Sequence, residues 1–308
     1  MGANEKDRDT REELSSLLEQ LKAQTGVTLS VDEGHPDGEA ETIRQLRKLV
    51  AEAGFPDRAA FLKALLTGGI AERDLLDAAK SVRLSPGQMF RLWIVEAKAD
   101  PETVSVLRSI YHRSATALII KTDEGHLVLL DRLTGAAGGE RSEAGETAGL
   151  ISDTLSAETM QPVRTAYTVS PVSLESLRPA YTEGLTALRL AGIFYGGRRA
   201  VPIDRPGIAR LIAEIPEPLC RSYLSEVFGD PDPAPPDEES INLVNAFLDS
   251  GLNLAETARR LYMHRNTLVY RLEKIGRETG LDLRRFEDAM TYRIASMIRD
   301  LLRSRSAK

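Results

Sequence analysis

Apolar positions recur along the chain with two different periods, and the change of period divides it. Leu14, Leu17, Leu18 and Leu21 follow i, i+3, i+4, i+7. That spacing predicts a short amphipathic helix, suited to packing or pairing, that ends before Thr25-Gly26. The run Val31 to Glu39, with Gly34, Pro36 and Gly38 among acidic residues, reads as a surface loop. Three more helical patterns follow, on Ile43, Leu46, Leu49 and Val50, on Phe61, Leu62, Leu65 and Leu66, and on Leu75, Leu76, Ala79 and Val82. Gly54 with Pro56, Gly68 with Gly69, and Pro86 with Gly87 punctuate them.

From Met89 to about Pro206 short β-rich runs alternate with helical ones. Strands are expected at Phe90 to Glu96, Ala115 to Lys121, His126 to Asp131, Val163 to Val169 and Ala200 to Ile203. Helices are expected around Pro101 to Tyr111, Ala144 to Ser156 and Leu174 to Leu190. The tight-turn composition of Thr122-Asp-Glu-Gly125 joins the second and third strands into a hairpin. The Gly/Glu-rich run Gly135 to Gly149 reads as a mobile loop. After helices near Gly207 to Ala213 and Leu219 to Phe228, Gly229 to Asp237 holds four prolines in nine residues. Proline lacks the amide donor and fixes φ, so this tract reads as a stiff spacer and a domain boundary. The pattern predicts a multidomain α and α/β chain: a helical region over 1–86, an α/β domain over 87–228, a Pro-rich linker over 229–237 and an all-α domain over 238–308.

In the last domain Leu254, Ala258 and Leu261 share one helical face, with small Ala255 and Ala258 permitting close approach. The turn Tyr262-Met-His264 follows, and then Leu268, Leu272 and Ile275 line one face of a second helix. At 100° per residue its opposite face collects Asn266, Thr267, Tyr270 and Lys274, with Arg265 and Arg271 at the flanks. Two short helices with a tight turn, the second apolar behind and polar-basic in front, match the unit that enters a major groove. Asn pairs with an adenine edge, Arg with guanine and Thr with either, while Lys, Arg and Tyr hold phosphates. Thr257, Arg265, Asn266, Thr267, Tyr270, Arg271 and Lys274 are therefore the candidate DNA-binding residues. An ordinary helical hairpin with a solvated polar face has the same pattern.

Charge sharpens this picture. The whole chain of 308 residues carries −6, but Leu254 to Lys308 holds 13 Lys/Arg against 7 Asp/Glu and is +6. Phosphate binding needs such a local excess of cations. The single cysteine, Cys220, permits neither a disulfide framework nor a multi-cysteine metal site. No run approaches the roughly 18 to 20 apolar residues that cross a bilayer, and Met1 to Glu13 is charged where a signal peptide would be apolar. A cytoplasmic protein is expected.

The residues His264-Arg-Asn-Thr-Leu-Val-Tyr-Arg-Leu-Glu-Lys-Ile275, followed by Thr279-Gly-Leu-Asp-Leu283, resemble the signature of the PucR/CdaR family, regulators of purine catabolism and sugar-diacid use. The C-terminal helix-turn-helix of that family is itself similar to the DNA-binding end of Fis. More loosely, Phe61 to Gly69 and the pattern from Leu174 through Tyr181, Glu183, Ala187 and Leu188 resemble the preceding segment, a degenerate GGDEF-like α/β domain. The resemblance implies an effector-responsive, sequence-specific transcriptional regulator of a catabolic operon that binds double-stranded DNA; a homodimer is expected because one recognition helix gives a short footprint and paired half-sites multiply specificity.

This chain departs from related sequences in three places. The turn that would carry a GGDEF catalytic motif reads Asp123-Glu-Gly-His126, and Gly138-Gly-Glu140 lies after the third strand with no following Phe. At the fourth strand, where the family often shows Gly-x-Gly, the chain has Arg164-Thr-Ala166, which leaves any ligand role of that strand open. Nothing in the first 85 residues matches the sugar-diacid module of some members.

An enzyme is not expected. The chain has no phosphate loop, nucleophile elbow or zinc-protease motif, and His35, His112 and His126 are isolated. No cofactor or metal is expected either. The alternative reading is a Fis-like architectural protein of low sequence specificity, against which the acidic front of the chain argues. Leu14 to Leu21 and the stripe Phe286, Met290, Ile294, Met297, Ile298 and Leu301 are the candidate pairing surfaces. The second stripe equally suits completion of the C-terminal core.

Overall fold

A computed structural model describes residues 14–22, 24–25, 28, 42–46, 49–50, 54–111, 117–122, 125–133, 141–204 and 207–306. The expected loop Val31 to Glu39 lies outside them, as do Asp123 and Glu124 of the hairpin turn and residues 135–140. The chain forms two compact units, one of residues up to Ala191 with Gly197–Arg205, the other of Gly192–Gly196 with everything from Pro206 onward.

The first unit is built on one sheet. Its elements run α1 (Arg58–Thr67), α2 (Leu75–Ser81), β1 (Met89–Glu96), α3 (Pro101–Ile110), β2 (Ala117–Lys121), β3 (Leu127–Arg132), α4 (Arg141–Thr159), β4 (Arg164–Tyr167), β5 (Val172–Ser173), α5 (Leu177–Phe194) and β6 (Ala200–Pro202). The strand order is β2-β3-β1-β4-β6, with β5 also on β1. The first four strands pair antiparallel and β6 joins β4 in parallel. A β-α-β-β-α-β chain in that order is the ferredoxin-like, split βαβ arrangement.

Strand side chains alternate between faces, and each face here has its own core. Phe90, Leu92 and Ile94 of β1 join Val128, Leu130 and Ala166, and pack with Phe61, Leu65, Ala79, Tyr181 and Leu188 of α1, α2 and α5. Trp93 and Val95 join Leu127 and Leu129 and pack with Leu107 of α3 and Ala144, Ala148, Ile151 and Leu155 of α4. Three polar side chains find partners across this second face. Trp93 Nε1 donates to the Ala144 carbonyl at 3.0 Å, Tyr111 Oη to Asp131 at 2.6 Å, and Arg91 Nη1 to Glu143 at 2.9 Å.

Two expectations are corrected in this unit. The loop expected over Gly135 to Gly149 overlaps the helix expected from Ala144, and the helix prevails: α4 begins at Arg141, because Ala144 and Ala148 continue the buried stripe of Ile151 and Leu155. The helical region 1–86 is not a separate body throughout, since residues from Phe55 onward share the sheet's core. Leu17, Leu21, Ile43, Leu46 and Val50 form a small cluster of their own, so the Leu14 to Leu21 helix buries two of its leucines within the chain.

The second unit is all helical: α6 (Ile208–Ala213), α7 (Glu217–Phe228), α8 (Glu238–Asp249), α9 (Leu254–Arg260), α10 (Arg265–Thr279) and α11 (Phe286–Ser306). Here the expected boundary at the proline tract is corrected. Helices α6 and α7 pack on α11, and Arg305 of α11 donates to the carbonyls of Ile215 and Ala213 at 3.1 and 2.9 Å. Residues 229–237 are thus a connector inside the unit. On α11 Met297, Ile298 and Leu301 are buried, whereas Phe286 is 66% exposed.

Candidate nucleic-acid interface

Three helices position the candidate residues. Asn253 caps α9, its Oδ1 accepting from the amides of Ala255 and Glu256 at 3.0 and 3.1 Å. Such a side chain satisfies donors that the first helical turn leaves without partners. The helix stops at a turn in which Tyr262 takes φ +52 and is almost wholly exposed. His264 then caps α10, its Nδ1 accepting from the Asn266 amide at 3.2 Å. At the other end Gly280 adopts φ +76, the left-handed cap that glycine supplies without strain. The helix therefore runs a turn beyond the expected Ile275.

The inner face of α10 fixes what the outer face shows. Leu268, Leu272 and Ile275 are buried against Leu243, Val244 and Phe247 of α8, Ala258 of α9, Leu283 and Tyr292. With that face held, Arg265, Asn266, Thr267, Tyr270 and Lys274 are exposed together on the other side, and Arg271 lies half-buried at the flank. Thr257 does not join them. Its side chain is fully buried and its hydroxyl donates to the Asn253 carbonyl at 2.7 Å, so the expectation that it touches DNA is withdrawn. Its position three residues after Leu254 and one before Ala258 places it on the inner face, a phase the sequence already carried. Ala255, expected at the helix contact, is exposed.

The cations around this face are mostly occupied. Arg271 pairs with Glu239 in the first turn of α8, Lys274 lies 4.0 Å from Glu278, and Arg260 lies 3.9 Å from Asp249. Arg259 pairs with Glu256. The Arg277 guanidinium sits 5.9 Å over the Tyr270 ring, a cation–π contact that holds the ring on the exposed face. Asp237 caps α8, and the Ser240 amide and hydroxyl that bond it hold its carboxyl below the usual carboxylate range, with Lys274 adding to the effect. Asp237, Glu238 and Glu239 stand at the N-terminus of α8, where the dipole favours them, and sequence reasoning missed the Arg271 partner of Glu239. It also missed the capping roles of Asn253 and His264. Among the described residues no group of His, Cys, Asp or Glu is arranged to hold a metal ion.

Residues 241–298 match the PucR C-terminal helix-turn-helix domain. The helix-turn-helix of this chain is of the PucR type. Its relatives share this part. The chain is 32% identical over 99 residues to the purine catabolism regulatory protein of Bacillus subtilis (strain 168), covering 32% of this chain and 18% of that one. It is 40% identical over 53 residues to a leucine-rich protein of Streptococcus dysgalactiae subsp. equisimilis, covering 17% of this chain and 19% of that one. This chain therefore spans less than a fifth of the length of either relative. A solved structure, the regulator of polyketide synthase expression from Bifidobacterium adolescentis, aligns over 83% of this chain and 98% of its own at 19% identity and a TM-score of 0.40. That correspondence is too loose to bear on the fold. In the PucR-type domain here, α9, the turn and α10 are the helix-turn-helix, and α8 and α11 supply the core behind it.

Proposed function

We propose that this protein is a sequence-specific DNA-binding transcriptional regulator that reads the major groove with α10. The observation that carries the reading is the exposed face of Arg265, Asn266, Thr267, Tyr270 and Lys274, set on a helix whose opposite face is locked in a core. Asn266 and Thr267 lie in the first turn, the end of such a helix that approaches base edges, where the positive dipole end also favours phosphate. Lys274 lies two turns on and is suited to the backbone. The PucR-type domain and the regulatory name of the Bacillus relative support the same reading.

The sheet unit is read as a degenerate GGDEF-like domain that senses a small-molecule effector, which its β-α-β-β-α-β order supports. Control of a catabolic operon follows from the resemblance to purine-catabolism and sugar-diacid regulators. A homodimer is proposed because one recognition helix gives a short footprint and paired half-sites multiply specificity. Phe286, left exposed at the start of α11, is available for such pairing. Selection of bound duplexes from a random pool by the full chain tests the reading. A recurring motif, in two related halves for a dimer, is the expected result. Binding without any motif would favour an architectural role, and no binding at low salt would end the proposal.

A further inference from the structure

Of the ion pairs around the recognition face, the one between Arg271 and Glu239 is the closest that joins two helices, since Arg260 and Asp249 stand 3.9 Å apart with both side chains more than half exposed. Lys274 with Glu278 and Arg259 with Glu256 are neighbours on the same helix, and their side chains are about half exposed or more. Glu239 comes from another helix. Its carboxylate stands in the first turn of α8, a turn fixed by the Asp237 cap, whose Oδ1 and Oδ2 accept from the Ser240 amide and hydroxyl at 2.8 and 2.9 Å. The Arg271 side chain that it meets is only 33% exposed, while Glu239 itself is 69% exposed. About two thirds of the Arg271 side chain is thus covered by protein, and its Nη1 is held by an acid.

A guanidinium fork accepts a carboxylate and a phosphate with the same geometry. A phosphate that takes the Nη1 edge of Arg271 therefore displaces Glu239. We infer that Glu239 is a built-in competitor with DNA for Arg271, lowering affinity for every sequence and reducing the contribution of Arg271 to salt dependence. The inference rests on the reading of α10 as the DNA-binding helix. A phosphate engaged by a free arginine releases about one condensed cation, which steepens the salt slope by roughly 0.9. When that arginine comes from a carboxylate, salt also weakens the pair that must break, which offsets part of that slope. Because the acid is largely exposed, the pair is worth only about a two- to fivefold change in binding.

Fluorescence anisotropy of the full chain on a short duplex of scrambled sequence, between about 50 and 200 mM salt, tests this with Glu239→Gln, Arg271→Gln and the double variant. Glu239→Gln should tighten binding about two- to fivefold and steepen the slope by a fraction of a unit. Arg271→Gln should weaken binding, and the double variant should match it. If Glu239→Gln left affinity and slope unchanged while Arg271→Gln weakened binding, Arg271 would reach DNA without leaving Glu239 and the inference would fail. An equal gain in the Arg271→Gln background would also overturn it, because the acid would then act by repelling phosphate directly. Arg271→Gln binding like the wild type would remove Arg271 from the interface. Failure of the wild type to bind at all would end the DNA-binding reading itself, and the competitor with it.

Discussion

Leu268→Ala tests the packing that orients the recognition helix. Leu268 is fully buried, one residue from exposed Thr267. Truncation removes three carbons from the core, a transfer loss of about 2.4 kcal/mol at about 0.8 kcal/mol per methylene. The void adds a second loss, because the surroundings relax only in part. Its neighbours Phe247 and Leu243 are themselves almost wholly buried and come from another helix, so they are poorly placed to close the gap. The expected total is about 3 to 5 kcal/mol, a large share of a typical domain's stability of about 5 to 15 kcal/mol. Guanidinium unfolding followed by far-ultraviolet circular dichroism measures it. The emission of Trp93, the sole tryptophan and a residue of the sheet unit, serves as a separate probe that should not shift. Thr267→Ala is the control and should stay within about 0.5 kcal/mol. A loss below about 1 kcal/mol for Leu268→Ala, or an equal loss for Thr267→Ala, would refute the helix orientation.

Three further outcomes are expected. Asn253→Ala should cost about 1 kcal/mol in the same denaturation assay, since two amides of α9 lose their cap. Gly184→Ala should cost about 1 to 3 kcal/mol and be seen by Trp93 emission, because an added Cβ would stand 2.3 Å from Ile94 Cδ1 and 3.1 Å from Ile203 Cδ1. Incubation of the full chain with GTP and Mg²⁺ or Mn²⁺ should yield no cyclic dinucleotide by liquid chromatography, since the β2–β3 turn Thr122-Asp-Glu-Gly-His126 lacks the catalytic signature.

Local physics made parts of this architecture readable from the sequence. The β2–β3 hairpin followed from a four-residue turn between two apolar runs, and the pairing of Ile120 with Val128 realises it. The two helices of the helix-turn-helix were legible because Leu268, Leu272 and Ile275 keep the helical period without interruption. Strand β5, two residues long, is too short to carry a period. The helix expected from Ala144 begins three residues earlier, at Arg141, a start that the Gly/Glu-rich composition before it concealed. The place of α6 and α7 was not legible, since it depends on packing against α11 some 80 residues later. The same holds for Glu239 and Arg271, which no local spacing connects. Thr257 is different: its helical phase marked it as buried, and only its polar side chain suggested otherwise.

The central claim, that the first turn of α10 reads sequence while its later turns hold the backbone, is tested most directly by two variants of the full chain. Asn266→Ala and Lys274→Ala are compared on a duplex obtained by selection and on its scrambled counterpart, each at several salt concentrations. Asn266→Ala should cost about 1 to 3 kcal/mol on the selected duplex and little on the scrambled one, so that the ratio of affinities falls. Lys274→Ala should weaken both about equally and reduce the salt slope by about one unit. An unchanged ratio for Asn266→Ala together with a collapsed ratio for Lys274→Ala would contradict the account.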